Sequence, residues 1–443
     1  MRILLRFGTG VKRMITFVVL GIFALLFILR VPVAVSMLLA SLIVLVAVVD
    51  VPLVVVPQVM IAACNKFEFL AIPFFILAAE LMNSSGMTGR IFRFATALIG
   101  WMRGGLAQVN IVGSVIFAGI SGTAVADAAG LGRVEIEAMT KAGYDLKLSA
   151  GITIATCIIG PLIPPSVVAV IYAITAEVSV GRMLLAGAGP GLLLAAILML
   201  TVDWMARTGR FHCPPVPRPS RAEFWQAIRD GLPAVLTPFI ILLGIIGGVI
   251  TPTEAGVAAC VYALLVAAFY YRSLSLAHLR DALVRSTLAS AMIMLIIAAA
   301  SVMSFIVTRE QSAPELLRWM SGLSDAVWVQ LLLINVFLLL VGCLIEGIPA
   351  MLILIPVMLP LATKLGLDPL HFGIILIFNL LIGIITPPMG VGLFILSNIT
   401  GLKVEEVFRG CVPFILPLLA CLLLITFVPQ VTLFLPNLLL PEK

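Results

Sequence analysis

Long apolar runs alternate with short basic segments along nearly the whole chain. A helix needs about 20 mostly apolar residues to cross the hydrocarbon core of a bilayer. Six runs approach or reach that length: Met14–Leu29, Val31–Val49, Met183–Met199, Ala234–Ile250, Leu288–Val307 and Val412–Val428. The pattern predicts an all-α polytopic membrane protein with about ten to twelve membrane segments.

Composition also favours lipid as the solvent. Apolar residues make up 62% of the 443 positions and charged residues only 11%, whereas soluble domains have about 45–50% and about 25%. The net charge of +6 is divided among several loops, so nucleic-acid binding is not expected. The seven cysteines form no CxxC pair and the three histidines lie far apart, so no transition-metal site is expected.

The basic residues predict a topology. Twenty of the 27 lysines and arginines lie in six clusters: Arg2–Arg13, Arg90–Arg103, Arg133–Lys147, Arg207–Arg229, Arg272–Arg285 and Lys403–Arg409. The positive-inside rule assigns such clusters to the cytoplasm. With a cytoplasmic N terminus, counting the crossings places the C terminus outside.

A basic, proline-rich segment at Thr208–Ser220 divides the chain into two halves that repeat. Five Gly or Pro pairs are separated by the same 223 positions: Gly160/Gly383, Pro164/Pro387, Pro165/Pro388, Gly187/Gly410 and Pro190/Pro413. The charge map gives the two halves opposite orientations, so inverted repeats are predicted.

Each half combines two interruptions. A polar, Gly-bearing segment between short apolar arms is typical of a re-entrant hairpin, and Gly-x-x-x-Pro-Pro breaks a longer apolar segment. The predicted order is scaffold helices 1–105, first repeat 106–204 (hairpin 106–138, broken helix 149–173), cytoplasmic linker and interfacial helix 205–231, scaffold helices 232–328, and second repeat 329–443 (hairpin 329–363, broken helix 372–396). Ser220 and Glu223 predict a capping box at the start of the interfacial helix.

The interruptions carry the candidate chemistry. Non-helical backbone at membrane depth must be buried in protein or line a wet cavity, and paired broken helices form substrate and ion sites. Gly permits unusual backbone angles. Pro is suited to the first position of a helix, because the N–H group that it lacks would have no partner within the helix. Five side chains supply oxygens suited to a hard cation such as sodium: Ser121, Thr123, Ser166, Asn379 and Thr386. The alternative is that these groups only satisfy local backbone.

Two acidic residues, Asp127 and Glu346, fall at the predicted hairpin tips. Charge within a membrane is costly, so each is a candidate for direct contact with an ion or substrate. Each could instead pair with a backbone N–H or a basic residue.

Four motifs, in order, resemble the large membrane subunit of the TRAP (tripartite ATP-independent periplasmic) transporters. They are Gly119-Ile-Ser-Gly-Thr-Ala-Val-Ala-Asp-Ala-Ala, Gly160-Pro-Leu-Ile-Pro-Pro-Ser166, Glu346-Gly-Ile-Pro-Ala-Met-Leu-Ile-Leu-Ile-Pro-Val-Met-Leu-Pro and Ile385-Thr-Pro-Pro-Met-Gly-Val-Gly. The resemblance covers nearly the whole chain. It implies sodium-driven, elevator-type import of a small organic anion across a bacterial inner membrane. It also implies two partners, a small membrane (Q) subunit and a soluble periplasmic binding (P) protein, and no cofactor beyond Na⁺ as coupling ion.

The resemblance further implies that hairpin tips and helix breaks form the sodium sites. The sodium-binding candidates are Ser121, Gly122, Thr123, Gly160, Pro164, Glu346, Gly347, Gly383, Thr386, Pro387 and Gly390. The substrate-binding candidates are Asp127, Pro165, Ser166, Asn379 and Pro388. Thr123 stands where the family is expected to carry Ser, a change that keeps the hydroxyl.

Other classes of protein fit less well. A stand-alone dicarboxylate–sodium symporter would share the inverted-repeat design. An integral-membrane lipid-modifying enzyme needs an acidic metal motif or a His/Cys constellation, and the sequence shows neither. A channel is disfavoured because paired discontinuous helices favour alternating access. Sialic acids, C4-dicarboxylates, 2-oxo acids and compatible solutes are all substrates that the sequence allows.

Overall fold

A computed structural model describes residues 15–47, 51–209, 211–214, 216–309, 324, 326–388 and 390–441. Within these ranges the regular elements are helices, and no strand occurs. The α-helices are α1 Ile15–Ile28, α2 Val33–Ala47, α3 Val55–Cys64, α4 Ala71–Ser84, α5 Met87–Ile99, α6 Leu106–Ser121, α7 Ala124–Ala129, α8 Leu131–Lys141, α9 Leu146–Thr156, α10 Val167–Thr175, α11 Val180–Arg207, α12 Arg221–Ile246, α13 Pro252–Leu265, α14 Leu276–Arg309, α15 Val327–Leu344, α16 Gly347–Lys364, α17 Pro369–Gly383, α18 Val391–Thr400, α19 Val404–Phe427 and α20 Gln430–Leu439. The basic cluster Arg2–Arg13 and the C-terminal Lys443 lie outside the described residues.

Eight helical segments in the described part are long and apolar enough to cross a membrane. They are Phe67–Ser84, Val180–Arg207, Arg221–Ile246, Pro252–Tyr270, Leu276–Arg309, Val327–Leu344, Gly347–Lys364 and Val404–Phe427. Shorter apolar helices, including both halves of the second broken helix, pack among them. The prediction of an all-α polytopic membrane protein is confirmed.

Helix boundaries recur at the spacing seen in the sequence. The stretch from the start of α7 to the end of α8 runs from residue 124 to 141, and α16 runs from 347 to 364, a shift of 223 positions. The same shift relates the starts of α9 and α17 and the ends of α6 and α15. The Pro164–Pro165 and Pro387–Pro388 bonds, also related by this shift, are both cis. The inverted orientation of the two repeats stays a prediction.

The two repeats interlock. Helix α9 of the first packs against α19 of the second, and α11 packs against α17 and α20. At the hairpin tips, α7 contacts α18, and α16 contacts α10. Each hairpin tip therefore meets the second half of the broken helix from the opposite repeat.

The linker region differs from the prediction in one respect. The Ser220–Glu223 capping box is confirmed, because each residue's side chain accepts from the other's backbone N–H. The helix that it starts is not a separate interfacial helix, since α12 continues without a break to Ile246. Pro233 lies inside this helix, where proline removes a backbone hydrogen bond. The Tyr262 hydroxyl donates to the Pro233 carbonyl at 2.8 Å, which ties α13 to α12 at this position.

Candidate functional site

The tip of the first hairpin is built by a left-handed glycine and a capping threonine. Helix α6 ends at Ser121 and is capped by Gly122, whose φ of 60° favours a residue without a Cβ. Thr123 then adopts an extended conformation, and its hydroxyl accepts from the Ala126 N–H to start α7. A Cβ at Gly122 would lie 2.5 Å from the Pro165 carbonyl oxygen. The absence of a side chain therefore lets the hairpin tip rest directly on the first helix break.

Asp127 lies behind this tip and is fully enclosed, with 1% of its surface exposed. The Ser121 hydroxyl donates to its Oδ1, and Oδ2 has no hydrogen-bond partner among the described residues. A Cβ at Gly160 would overlap Oδ2, so the carboxylate reaches into the space that this glycine leaves. The structure thus brings together Ser121, Asp127 and Gly160, two of which are sodium-binding candidates.

The first break spans the residues between Thr156 and Val167, where the chain makes turns but no continuous helix. Ser166 is the N-cap of α10, and its hydroxyl accepts from the Ala169 N–H and donates to the Pro161 carbonyl. The expectation that a proline takes the first helical position is wrong here, because Pro164 and Pro165 both precede the cap. The hydroxyl cap replaces the proline as the group that starts the helix.

The second break has a different local design. Helix α17 ends at Gly383, and α18 starts at Val391 after Gly390. Pro387 and Pro388 again lie inside the break, so neither occupies a first helical position. The Thr386 hydroxyl, which is half-buried, donates to the Ile382 carbonyl at 2.8 Å. Its oxygen keeps lone pairs that a cation could use.

The second hairpin meets this break through two glycines. A Cβ at Gly383 would overlap the backbone of Gly342 in α15. After α15, Glu346 is the N-cap of α16 but its side chain makes no capping hydrogen bond. Gly347 follows as the first residue of α16, and a Cβ there would lie 3.9 Å from Leu380 of α17.

One small cavity joins both hairpin tips to both broken helices. It has a volume of about 50 Å³. The lining residues are Thr123, Ala124 and Val125 from the first tip, Glu346, Gly347 and Ile348 from the second, Pro161 and Val168 from the first broken helix, and Ile377, Leu380, Leu381 and Ile384 from the second. The amino-terminal turns of α10 and α16 and the carboxyl-terminal turn of α17 therefore face the same space.

None of the five substrate-binding candidates, Asp127, Pro165, Ser166, Asn379 and Pro388, lines this cavity. Ser166 is fully buried and both of its hydrogen bonds go to backbone. Asn379 is also fully buried, and its amide donates to Asn335 Oδ1 at 2.7 Å and to the Ile375 carbonyl. Neither lines the cavity. For Ser166 the hydrogen bonds agree with the alternative that the side chain satisfies local backbone.

In each repeat a polar link joins the hairpin to the broken helix, and the sequence analysis did not identify either link. In the first repeat, Asn110 of α6 donates to Thr153 and accepts from Thr156 of α9, both at 2.7 Å. In the second, Asn335 of α15 pairs with Asn379 of α17. Thr156 and Asn379 are themselves 223 positions apart. An asparagine inside an apolar arm was the signal that could have pointed to these links.

No group of three or more His, Cys, Asp or Glu side chains that could hold a metal ion gathers within the described part of the chain. The donors at the two breaks are hydroxyl, carboxylate and carbonyl oxygens. Such oxygens suit hard cations rather than transition metals.

Hairpin tips and broken helices that meet at one cavity define the architecture of a secondary transporter. The chain matches the family described as "Tripartite ATP-independent periplasmic transporter, DctM component" over residues 20–431. It belongs to this family, which confirms the resemblance seen in the motifs and the prediction of a transporter permease rather than an enzyme.

Curated relatives support the same assignment. The chain is 40% identical to the sialic acid TRAP transporter large permease protein SiaM of Vibrio cholerae, over 86% of this chain and 89% of that protein. It is 38% identical to the C4-dicarboxylate TRAP transporter large permease protein DctM of Pseudomonas aeruginosa, over 84% and 87%. Among solved structures, the Alcanivorax borkumensis YdaH transporter shares the fold, with a TM-score of 0.60 at 15% identity, covering 91% of this chain and 98% of that one.

Proposed function

We propose that this permease imports a small organic anion, a carboxylate or a sialic-acid-like sugar, in symport with sodium. The observation that carries the proposal is the cavity between the hairpin tips. The amino-terminal turns of α10 and α16 line it, and helix N-termini attract anions. The carboxyl-terminal turn of α17 lines it too, and helix C-termini attract cations. An anion and a cation are therefore both favoured at this place.

The relatives narrow the substrate class. The names of two relatives specify sialic acid and C4-dicarboxylates, and both kinds of molecule carry carboxylate groups. A helix N-terminus also binds carboxylate groups, because its free N–H groups donate to the carboxylate oxygens. We infer a carboxylate substrate for this chain on these two grounds.

The size of the cavity supports a conformational cycle. Sites that enclose small organic molecules measure about 300–1,000 Å³, whereas this cavity measures about 50 Å³. Substrate entry thus requires the hairpin tips to move away from the broken helices. Such opening on alternate sides of the membrane is what an elevator-type cycle demands.

We propose two sodium positions, one at each break. The first comprises Ser121, Gly122, Thr123, Gly160 and Pro164, and the second comprises Glu346, Gly347, Gly383, Thr386, Pro387 and Gly390. Asp127 contacts Ser121 and faces Gly160, so we assign it to the first sodium position rather than to the substrate. A bound cation there would balance the carboxylate, whose Oδ2 has no hydrogen-bond partner among the described residues.

The family description also bears on partners and orientation. A tripartite system implies a small membrane (Q) subunit and a periplasmic binding (P) protein beside this chain. We propose a bacterial inner-membrane location with a cytoplasmic N terminus and a periplasmic C terminus, on the basis of the basic clusters.

The test is reconstitution in proteoliposomes with an inward sodium gradient. The chain together with the Q subunit and a substrate-loaded P protein should take up labelled substrate, and replacing sodium by potassium should stop uptake. Omitting the P protein should reduce uptake to background. Sodium-driven uptake by the chain alone would instead favour the stand-alone symporter.

A further inference from the structure

Glu135 is a buried carboxyl group that the site described above does not use. It lies on α8 with 1% of its surface exposed, and its Oε1 has no hydrogen-bond partner in the part of the chain that the structure describes. Within the described residues it forms no ion pair. Other charged residues of the same helix, Arg133 and Glu137, are exposed, so burial singles out Glu135 among them.

The carboxyl lies close to a glycine of the neighbouring helix α6. Gly113 of α6 faces it, and a Cβ at that position would lie 3.2 Å from Oε1 and 3.7 Å from Leu131. A larger residue on α6 would therefore press against the carboxyl. The glycine leaves just enough room for the group, but its helical backbone supplies no free N–H to bind an anion.

Among the described helices that pack against α8, none supplies a positive charge paired with Glu135. Helix α8 packs against α5, α6, α7 and α9, and α6 contains no charged residue. On α9, Lys147 pairs with Glu406 at 3.0 Å. On α5, Arg90 stacks on Tyr271 at 3.9 Å, and Arg93 lines a groove beside the linker.

The titratable groups that interact with Glu135 electrostatically carry the wrong sign. The Asp127 carboxylate on α7 acts on Glu135, and both acids act on the Cys157 thiol just after α9. Ionisation of Glu135 would place a second negative charge near Asp127 in a region of low dielectric constant. An unpaired buried charge costs several kcal/mol and is usually avoided by neutralisation.

We propose that Glu135 is a proton-binding site: it is a neutral carboxylic acid in the folded permease, and its ionisation loosens the packing of α8 against α6. The ligand of this site is a proton, bound in addition to any sodium ion at the hairpin tip. The proposal does not depend on the sodium or substrate assignments, because it follows from the burial of Glu135 and the charges around it.

Glu135→Gln tests the proposal, because glutamine has nearly the shape of a neutral glutamic acid but cannot ionise. Glu137→Gln is the matched control, since Glu137 lies two residues further along the same helix and pairs with Lys141 at the surface at 2.7 Å. The measurement is the unfolding temperature of the purified permease in detergent, from neutral to alkaline buffer, in sodium and in potassium.

Because the folded state would bind one proton more than the unfolded state, stability should fall as pH rises. The wild type and Glu137→Gln should show this fall, and Glu135→Gln should show less of it. In neutral buffer Glu135→Gln should unfold at or above the wild-type temperature, because there the unfolded wild type has already released the proton. The difference between wild type and Glu135→Gln should be the same in sodium and in potassium.

Three results would overturn the proposal. Glu135→Gln that fails to fold, or unfolds well below the wild type in neutral buffer, would show that the anion is required. Parallel pH curves for the wild type and Glu135→Gln would show that Glu135 does not change its proton occupancy. An infrared spectrum of wild-type permease with ¹³C-labelled glutamate provides a check independent of any variant, and lack of a protonated carboxyl band in neutral buffer would contradict the idea.

Discussion

Gly410 of α19 lies directly against the backbone of Lys147 in α9, so closely that a Cβ on the glycine would overlap the lysine carbonyl oxygen. One turn further along α9, a Cβ on Gly151 would overlap the carbonyl group of Gly410. The two repeats therefore meet backbone to backbone, as small residues allow at helix crossings in membranes.

Gly410→Ala should destabilise the permease by about 1–3 kcal/mol, because the added methyl group must push two rigid backbones apart. The control is Gly89→Ala on α5, where no atom of the described residues lies within 4 Å of the new Cβ. Thermal unfolding of the two purified variants in the same detergent measures the difference. Equal unfolding temperatures would show that the two backbones are far enough apart to accommodate a methyl group.

The sequence could reveal Gly410 but not its partner. The spacing of 223 positions pairs Gly410 with Gly187, and a Cβ at Gly187 would likewise overlap a backbone oxygen, that of Leu162. Gly and Pro can be recognised in a sequence as residues that interrupt helices, so both breaks and both hairpin tips could be predicted. The position equivalent to Gly151 in the second repeat is Ile374. Because only one repeat has the glycine, the spacing of 223 positions does not reveal it.

The same reasoning explains why Glu135 was missed. In the sequence, Glu135 and Glu137 look alike, and the chain around them is rich in charge. Leu131, Glu135 and Met139 share one buried face of α8. Their spacing of four residues could therefore have predicted that Glu135 is buried. The orientation of the Asp127 carboxylate could not be predicted, because it depends on Ser121 and on a glycine in a separate segment.

Thr386→Ala and Ser121→Ala should each raise the sodium concentration needed for half-maximal uptake, because each removes one proposed oxygen ligand. Thr175→Ala is the control for Thr386→Ala. The Thr175 hydroxyl donates to the carbonyl four residues earlier at 2.8 Å, as Thr386 does, but it lies outside both breaks. Uptake by the complete reconstituted system is measured against sodium concentration. Sodium curves that match the wild type in both site variants would remove these hydroxyls from the sodium positions.

Lys66 links the segment before α4 to the end of α10. Its Nζ donates to the Ile174 carbonyl at 3.2 Å and lies 3.8 Å from the Glu177 carboxylate. If α10 moves relative to the N-terminal helices, this contact must break. Lys66→Met should therefore broaden the distance distribution between spin labels on α4 and α10, while costing less than about 1 kcal/mol of stability because the lysine is partly exposed.

Lys141→Met is the control for Lys66→Met, since it breaks an ion pair within one helix, between Lys141 and Glu137. Its distance distribution should equal that of the wild type. Identical distributions for all three proteins would argue that Lys66 does not hold the two parts together.

The proposed topology predicts opposite accessibility for two exposed positions near the ends of the second half. His212 lies in the basic linker and Pro441 follows α20, and both are exposed. Basic residues flank His212 on both sides, Arg207 and Arg218 among them, and such segments stay in the cytoplasm.

In a cysteine-free background, His212→Cys should resist an impermeant maleimide added to intact cells and react after permeabilisation, whereas Pro441→Cys should react in intact and in permeabilised cells. Neither position caps a helix, so the substitutions should leave the fold unchanged. Labelling of position 212 from outside would reverse the assigned orientation, and protection of both positions would place the C terminus in the cytoplasm and make the number of crossings after the linker even.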